Sequence, residues 1–108
     1  MKLKKIEPNQ LEKIDYTLYK FMLECIFQEN KNIEVIIYQD IKATNTIIFK
    51  LTYKEYILRI ISKETQLTLY KQSIASQKIY DKITLDFVNF WTLTTAKILI
   101  YSQIQMLS

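Results

Sequence analysis

The chain has 108 residues, of which 49% are hydrophobic, and it carries a formal net charge of +4. This length suits one domain with a modest hydrophobic core and is too short for two self-sufficient domains. With one cysteine, no histidine and no glycine, the sequence excludes an internal disulfide, the common nitrogen and sulfur metal sites, and glycine-rich loops that cradle phosphates or dinucleotides.

The positive charge is local, since residues 1–5 carry +3 and residues 41–80 carry +5, whereas residues 6–40 carry −4. We therefore treat residues 1–7 as a basic tail on a single domain spanning 1–108. Isoleucine occurs 18 times and lysine 14 times, against one arginine. This bias is typical of an AT-rich genome, such as that of a phage, a plasmid or an organelle.

Neither end of the chain predicts export or membrane insertion. The first residues, MKLKKIEPNQ, are basic but reach Glu7 and Pro8 before any apolar stretch, unlike a signal peptide. The lightly charged run at 87–108 has spanning length, but Lys97 near its middle argues against a transmembrane helix. We therefore expect an intracellular protein, in the cytoplasm or the interior of an organelle.

The first predicted element is an amphipathic helix. Asn9 and Glu12 have the spacing of an N-cap and its reciprocal carboxylate, and Pro8 discourages an earlier start. The apolar stripe, at intervals of three and four, consists of Leu11, Ile14, Leu18, Phe21, Met22, Cys25 and Ile26. Asp15 is assigned to the outer face with the other charged residues. The helix is expected to end at 30–32, where asparagine tolerates the left-handed conformation.

Four strands are predicted next, at 33–39, 46–53, 56–62 and 65–71, the last three separated by Lys-Glu pairs at 54–55 and 63–64. If each pair is a two-residue turn, Phe49 faces Ile60 and Ile60 faces Leu67. This register separates apolar from mixed side chains, whereas a shift of one residue would mix them. Because tight hairpins favour glycine, longer turns remain an alternative, as does a helix over 53–61.

The predicted register gives the sheet two different faces. One is wholly apolar and consists of Ile47, Phe49, Leu51, Tyr53, Tyr56, Leu58, Ile60, Leu67 and Leu69. The other is mixed and consists of Ile48, Lys50, Thr52, Ile57, Arg59, Ile61, Gln66, Thr68 and Tyr70. The pattern does not decide whether the mixed face stays exposed, with three exposed isoleucines, or is covered by a second helix.

A second amphipathic helix is predicted over about 72–92, from apolar residues at successive intervals of four: Ala75, Ile79, Ile83, Phe87 and Trp91. Residues 93–108 fit either a strand or a continuation of this helix. The predicted fold class is α+β, an antiparallel four-stranded β-meander flanked by an N-terminal and a C-terminal amphipathic helix. The order is α-β-β-β-β-α, with an ambiguous last element.

No catalytic constellation is predicted. The commonest general base, histidine, is missing, and Asp81 and Asp86 do not share a helical face. Cys25 lies in an apolar stripe, which favours a buried small hydrophobe over a reactive thiol. The aromatic cluster around Trp91 is more typical of core than of a docking anchor. We therefore expect no enzymatic activity, no metal site and no cofactor.

The mixed face of the sheet is the candidate functional surface. Isoleucines around Lys50 and Arg59 form an apolar patch with charged neighbours, which is typical of a protein interface. The candidate partner-binding residues are Lys50, Thr52, Ile57, Arg59, Ile61, Thr68 and Tyr70. The sequence therefore favours a non-enzymatic protein-binding module, acting as an inhibitor, an adaptor or a small accessory subunit. Its partner is expected to be another protein or a second copy of the chain.

The alternative is a small basic nucleic-acid-binding regulator that uses the 41–80 region. Cations beside an aromatic ring on an open sheet can contact phosphates and stack a base. The single arginine, and Tyr70 as the single aromatic on the mixed face, count against this hypothesis. The simplest interpretation is that the mixed face binds nothing, and that its charges are solvated and keep the antiparallel sheet soluble. Small-molecule binding between helix and sheet has no support from polar groups in the apolar face.

Overall fold

The computed structural model describes residues 2–43, 45–86 and 90–107. Within these residues the elements are β1 (Leu3–Lys5), a 3-10 helix (Pro8–Gln10), α1 (Lys13–Glu29), β2 (Glu34–Asp40), β3 (Thr46–Tyr53), β4 (Tyr56–Lys63), β5 (Gln66–Ser73), β6 (Ile79–Asp86) and α2 (Phe90–Gln105). The strands lie side by side in chain order, each antiparallel to the next. The α+β class is confirmed. The predicted count of four strands is wrong, because the described sheet has six.

The strand β6 occupies the first part of the predicted second helix. The prediction of a helix over 72–92 is therefore wrong there, and the described helix α2 spans Phe90–Gln105. An interval of four is a multiple of the strand period of two, so it fits a regular strand as well as a helix. In β6 the bulge at Asp81 and Lys82 then places Ile79 and Ile83 on opposite faces. Pairing decides between strand and helix, since Ile83 and Leu85 lie opposite Leu69 and Leu67 on β5. Phe87 and the side chain of Trp91, on which the helix prediction also relied, lie outside the described part.

Residues 3–5, predicted to belong to a basic tail, form the edge strand β1. This strand pairs with the end of β2, with Lys5 opposite Tyr38. The next residue, Ile6, is buried and donates its N–H to the carbonyl of Ile37 at 3.0 Å. Three residues are too few for an alternation to be recognised in the sequence, so contact with β2 determines this strand.

The helix α1 begins later than predicted and ends as predicted. Its N-cap is Glu12, which makes no side-chain capping hydrogen bond, while Asn9 lies in the preceding 3-10 helix. The prediction of Asn9 as the N-cap is therefore wrong. Asn30 is the C-cap and has a left-handed φ of 52°, which confirms the expected role of asparagine at this end.

The buried side of α1 is rotated relative to the predicted stripe. The buried residues of the helix are Asp15, Leu18, Met22 and Cys25. Ile14 is 43% exposed and Asp15 only 6%, so the assignment of Asp15 to the outer face is wrong. Residues 15, 18, 22 and 25 recur at intervals of three and four, so a helical face can include one polar position without losing its period.

The hairpin of β3 and β4 has the predicted register, with Phe49 opposite Ile60. In the next hairpin the turn lies at 64–65 instead of 63–64, so Ile60 faces Leu69 and the predicted pairing with Leu67 is wrong. The error is two residues in register. Because side chains alternate with a period of two, this shift leaves every side chain on its predicted face.

The chain bends without glycine by placing other residues at positive φ. In the described part these are Asn30 (52°), Lys54 (53°), Glu64 (50°), Gln77 (63°) and Asp81 (52°). Lys54 and Glu64 are the first residues of the two hairpin turns, and Asp81 with Lys82 forms a bulge in β6 opposite Tyr70. A residue with a Cβ in the left-handed conformation costs about 1–2 kcal/mol of conformational free energy. The packing around these bends must offset that cost.

Both helices pack on the same face of the sheet, which we call the covered face. The core between them consists of Ile6, Leu18, Met22, Cys25, Ile37, Ile47, Phe49, Leu51, Leu58, Ile60, Leu67, Leu69, Ala96, Ile100, Ile104 and Leu107. The ring of Tyr19 on α1 stacks on Phe49, with 6.4 Å between centroids. The described helices therefore leave the opposite face of the sheet open, and we call it the uncovered face.

The C-terminal element, which the sequence left ambiguous, is the helix α2. Lys31 forms hydrogen bonds with the C-terminal end of this helix. The Lys31 ammonium donates hydrogen bonds to the carbonyls of Ile104 (3.1 Å), Gln105 (2.8 Å) and Leu107. The Ile104 carbonyl also accepts a hydrogen bond from the Leu107 N–H at 3.3 Å. The last carbonyls of a helix lack intrahelical partners, and a cation suits the negative end of the helix dipole. In the described part of the chain, neither helix has the length and apolarity required to cross a membrane.

Candidate functional site

The uncovered face carries all the residues predicted to bind a partner, and each is half-buried: Lys50, Thr52, Ile57, Arg59, Ile61, Thr68 and Tyr70. They come from the three central strands β3, β4 and β5. Lys50 lies opposite Arg59, which lies opposite Tyr70 on the next strand. The structure therefore places the predicted residues together on one surface.

A hollow of about 390 Å³ lies on this face, and we call it the central hollow. Its lining consists of Leu3, Tyr38, Ile48, Lys50, Arg59, Ile61 and Tyr70. Four of the predicted residues line it, whereas Thr52, Ile57 and Thr68 do not. Leu3 and Tyr38 were missed because their positions depend on the pairing of β1 with β2 and of β2 with β3. The sequence predicted a strand at 33–39, but it did not show which strands lie beside it.

Ile48 forms the floor of the central hollow. It was assigned to this face, and the sequence left open whether the face is exposed or covered; Ile48 is only 5% exposed although no described helix covers it. Its neighbours across the strands are Tyr38 on β2 and Ile61 on β4. It does not belong to the core beneath the helices. The side chains around it therefore form a second, smaller apolar cluster on the uncovered face.

The two cations of the hollow lie side by side on β3 and β4. The Arg59 guanidinium donates a hydrogen bond to Gln72 Oε1, and its Cζ lies 5.9 Å from the centroid of the Tyr70 ring. These contacts orient the guanidinium. Within the described residues, the structure shows no ion pair for Lys50 or Arg59. Like charges directly opposite each other in a sheet repel, so an anion bound between them would stabilise the pair.

The acidic residues of the uncovered face lie near the strand ends, away from this centre. By register these are Glu34 and Asp40 at the two ends of β2 and Asp86 at the end of β6. Asp40 accepts hydrogen bonds through Oδ1 from the N–H groups of Lys42 (2.9 Å) and Ala43 (3.3 Å). The face therefore has a positive centre, and its margin carries both these acidic residues and two lysines, Lys5 and Lys63.

A second hollow of about 230 Å³ lies near the start of α1, beside Glu12, Asp15 and Glu64. Asp15 accepts a hydrogen bond from Ser62 Oγ at 2.6 Å. Burial raises the pKa of Asp15 above its ordinary value of 3.8; the Ser62 hydrogen bond acts in the opposite direction, and the nearby charge of Glu12 adds to the rise. The Ser62 hydrogen bond joins β4 to α1, so the buried carboxyl of Asp15 has a structural role in the packing of the helix on the sheet.

The remaining candidates for chemistry lie in the core or are not assembled. Cys25 is 3% exposed, as its place in the apolar stripe predicted. Burial, with Glu24 and Glu29 nearby, raises the pKa of its thiol to about 11, so the reactive thiolate is scarce at neutral pH. Over the described ranges, no group of three or more cysteine, aspartate or glutamate side chains is arranged to hold a metal ion.

No protein-family model matches this chain, and searches of curated proteins and of solved structures give no match either. A functional hypothesis therefore rests on the geometry, burial and charge of the uncovered face.

Proposed function

We propose that this protein is a non-enzymatic protein-binding module that recognises its partner through the uncovered face. The observation that supports the proposal is the arrangement of both helices on one side of the sheet, with an apolar and cationic hollow on the other. A sheet face with no role would carry mainly solvated polar side chains, whereas this one concentrates Ile48, Ile61 and two tyrosines at its centre.

The composition of the central hollow matches that of binding hot spots. Tyrosine and arginine are enriched in such hot spots, where they lie at the centre of the interface among apolar contacts. Tyr38 and Tyr70 supply large rings with few rotatable bonds, and Arg59 is oriented by Gln72. The module would act as an inhibitor, an adaptor or a small accessory subunit of a larger assembly.

The test uses the full chain as bait in an extract of its source cells, with two matched variants. Ile61→Glu places a carboxylate on the uncovered face, and Ile98→Glu places one on α2, where Ile98 is 63% exposed. We expect the wild type and Ile98→Glu to retain a protein in stoichiometric amount, and Ile61→Glu to lose it. If the partner is a second copy of the chain, light scattering on the purified protein should give the molar mass of a dimer.

Two results would contradict the proposal. One is a strictly monomeric wild-type chain that retains no stoichiometric protein. The other is retention by Ile61→Glu equal to that of the wild type. Circular dichroism must show that Ile61→Glu is folded; if it is not, Tyr70→Glu, at a half-buried position on the same face, replaces it.

The second candidate function is nucleic-acid binding, which is favoured by one structural observation. The central hollow contains Tyr38 as well as Tyr70 beside the two cations, so stacking and phosphate contacts lie close together. Fluorescence anisotropy with a labelled single-stranded oligonucleotide at low salt tests it. Absence of binding, or binding that survives the double replacement Lys50→Glu and Arg59→Glu, would exclude this function.

A further inference from the structure

We infer that the central hollow binds a carboxylate of the partner protein, an aspartate or glutamate side chain flanked by apolar residues, between Lys50 and Arg59. The inference rests on the proposed function and specifies the chemistry of the partner. It combines three features of the uncovered face: two adjacent cations without an acidic partner among the described residues, an oriented guanidinium, and an apolar floor.

The first feature is the unbalanced charge at the centre of the face. Lys50 and Arg59 occupy directly opposite positions on β3 and β4, and both are half-buried. No carboxylate of the described chain forms an ion pair with either. Partial burial weakens screening by water, so the repulsion between the two cations is reduced most effectively by an anion placed between them.

The second feature is the orientation of Arg59. Its Nη1 donates to Gln72, and its planar group lies near the Tyr70 ring. A guanidinium has five N–H donors in a fixed plane, so most of them stay available after this single contact. Such a group matches the two oxygens of a carboxylate. Because Gln72 and Tyr70 already restrict its rotation, less conformational entropy is lost on binding.

The third feature is the apolar part of the hollow, which favours a protein over a nucleic acid. Ile48, Ile61 and Leu3 line it beside the cations, so the methylene groups and an apolar neighbour of an acidic side chain have a surface to contact. A nucleic-acid backbone needs several cations along a path. On this face the charges away from the centre are mixed, with Lys5 and Lys63 beside Glu34 and Asp86, so they do not form a uniformly cationic path.

The size of the hollow is consistent with this occupant. At about 390 Å³, it lies toward the lower end of the range of roughly 300–1,000 Å³ for binding pockets. It therefore suits one acidic side chain with an adjacent apolar side chain better than an extended segment. The partner is thus expected to present a short acidic and apolar motif.

The direct test uses a blocked tripeptide, acetyl-leucyl-glutamyl-leucine amide, and its glutamine counterpart as a neutral control of the same shape. Both are titrated into the isotopically labelled full chain, and NMR shifts are recorded. We expect saturable shifts around residues 50 and 59 with the glutamate peptide, binding at least tenfold weaker with the glutamine peptide, and weakening as salt is added. Equal binding of both peptides, shifts confined to the helices, or no binding up to 10 mM would overturn the inference.

A second measurement separates this inference from the proposed function. Lys50→Met and Arg59→Met remove one charge each while keeping a long apolar side chain, and Lys63→Met, at an exposed position of β4, is the control. We expect each of the first two to weaken binding of the captured partner at least tenfold, and the control to leave it within twofold. If Lys50→Met and Arg59→Met bind normally but Ile61→Glu does not, the carboxylate inference fails and the function stands. If Ile61→Glu also binds the partner normally, both the carboxylate inference and the proposed function fail.

Discussion

The two faces of the sheet have the same alternating pattern, but they have different surroundings. Ile60 points to the covered face and is fully buried, whereas its neighbour Ile61 points to the uncovered face and is half-buried. On the covered face, side chains from α1 and α2 complete the core. On the uncovered face, Tyr38, Ile48 and two cations surround a hollow that no described helix fills. The comparison shows that alternation sorts side chains into two sets, and that packing decides which set becomes core.

The two faces also treat charge differently. The buried carboxyl of Asp15, next to the covered face, accepts a hydrogen bond from Ser62. Lys50, on the uncovered face, has no such partner within the described residues. A buried polar group that supports the fold is normally hydrogen-bonded, so the Asp15 contact is explained by stability. The unpaired cation is instead where we propose that a carboxylate of the partner binds.

The largest predicted effect contrasts Ile60→Ala with Ile61→Ala. Truncation of a fully buried isoleucine removes apolar contacts and leaves a cavity, which costs about 2–5 kcal/mol. The same change at half-buried Ile61 is expected to cost less than about 1.5 kcal/mol. Urea denaturation of both variants measures the two free energies of unfolding. Equal losses would show that the faces do not differ in packing.

The next effect concerns the attachment of α2 to the covered face. Lys31→Met removes the ammonium that holds three carbonyls at the end of this helix. We expect a loss of about 1–3 kcal/mol in the free energy of unfolding, because hydrogen bonds from a charged group are among the stronger ones. The control is Lys20→Met, at an exposed position of α1, which should change stability by less than about 0.5 kcal/mol. A loss no larger than that of the control would contradict the role of Lys31.

A pH titration tests the buried carboxyl beside the covered face. Because the pKa of Asp15 is raised in the folded chain, the unfolded chain loses this proton first as the pH increases. The contribution of Asp15 to stability therefore falls from its ordinary pKa of 3.8 up to the raised value, and is constant above it. Asp15→Asn, which can still accept from Ser62, should remove this fall and stabilise the chain at pH 7 by roughly 1 kcal/mol.

Ser62→Ala is the companion to the Asp15 titration. It removes the hydroxyl that donates to the carboxyl, so it should raise the pKa of Asp15 further and destabilise the chain at pH 7 by about 1–3 kcal/mol. Unfolding free energies between pH 4 and pH 7, taken as differences from the wild type, isolate this group from other titrating side chains. A wild type and an Asp15→Asn variant with parallel pH profiles would contradict the raised pKa.

The smallest effect concerns the turns that keep the two faces in register. Lys54→Gly relieves a positive φ of 53°, which costs about 1–2 kcal/mol, but adds flexibility to the unfolded chain worth about 0.5–1 kcal/mol. A net gain of roughly 0.5 kcal/mol is expected. The control is Glu55→Gly, at the adjacent turn residue without positive φ, which should lose stability. Equal losses from both replacements would show that no strain is stored at Lys54.

Local patterns in the sequence were enough to identify α1 and the strands β2 to β5, and to assign the side chains of β3, β4 and β5 to faces, whereas the buried face of α1 was rotated from the prediction. The candidate site also shows that local patterns do not identify residues whose position depends on pairing with a distant strand. Lys50, Arg59, Ile61 and Tyr70 were identified from one register, whereas Leu3 joins them only through the pairing of β1 with β2. A three-residue strand has no period to detect, and only its neighbour determines its conformation.

The sequence by itself determined which side chains of β3, β4 and β5 share a face, because the strand period of two survives even a two-residue error in register. Tertiary structure decided that residues 79–86 form a strand, since an apolar interval of four fits both a strand and a helix and only β5 offers the backbone partners. It also decided that both helices lie on one side of the sheet. That choice depends on long-range packing between α1 and α2, and it is the reason that the face with Lys50 and Arg59 remains uncovered.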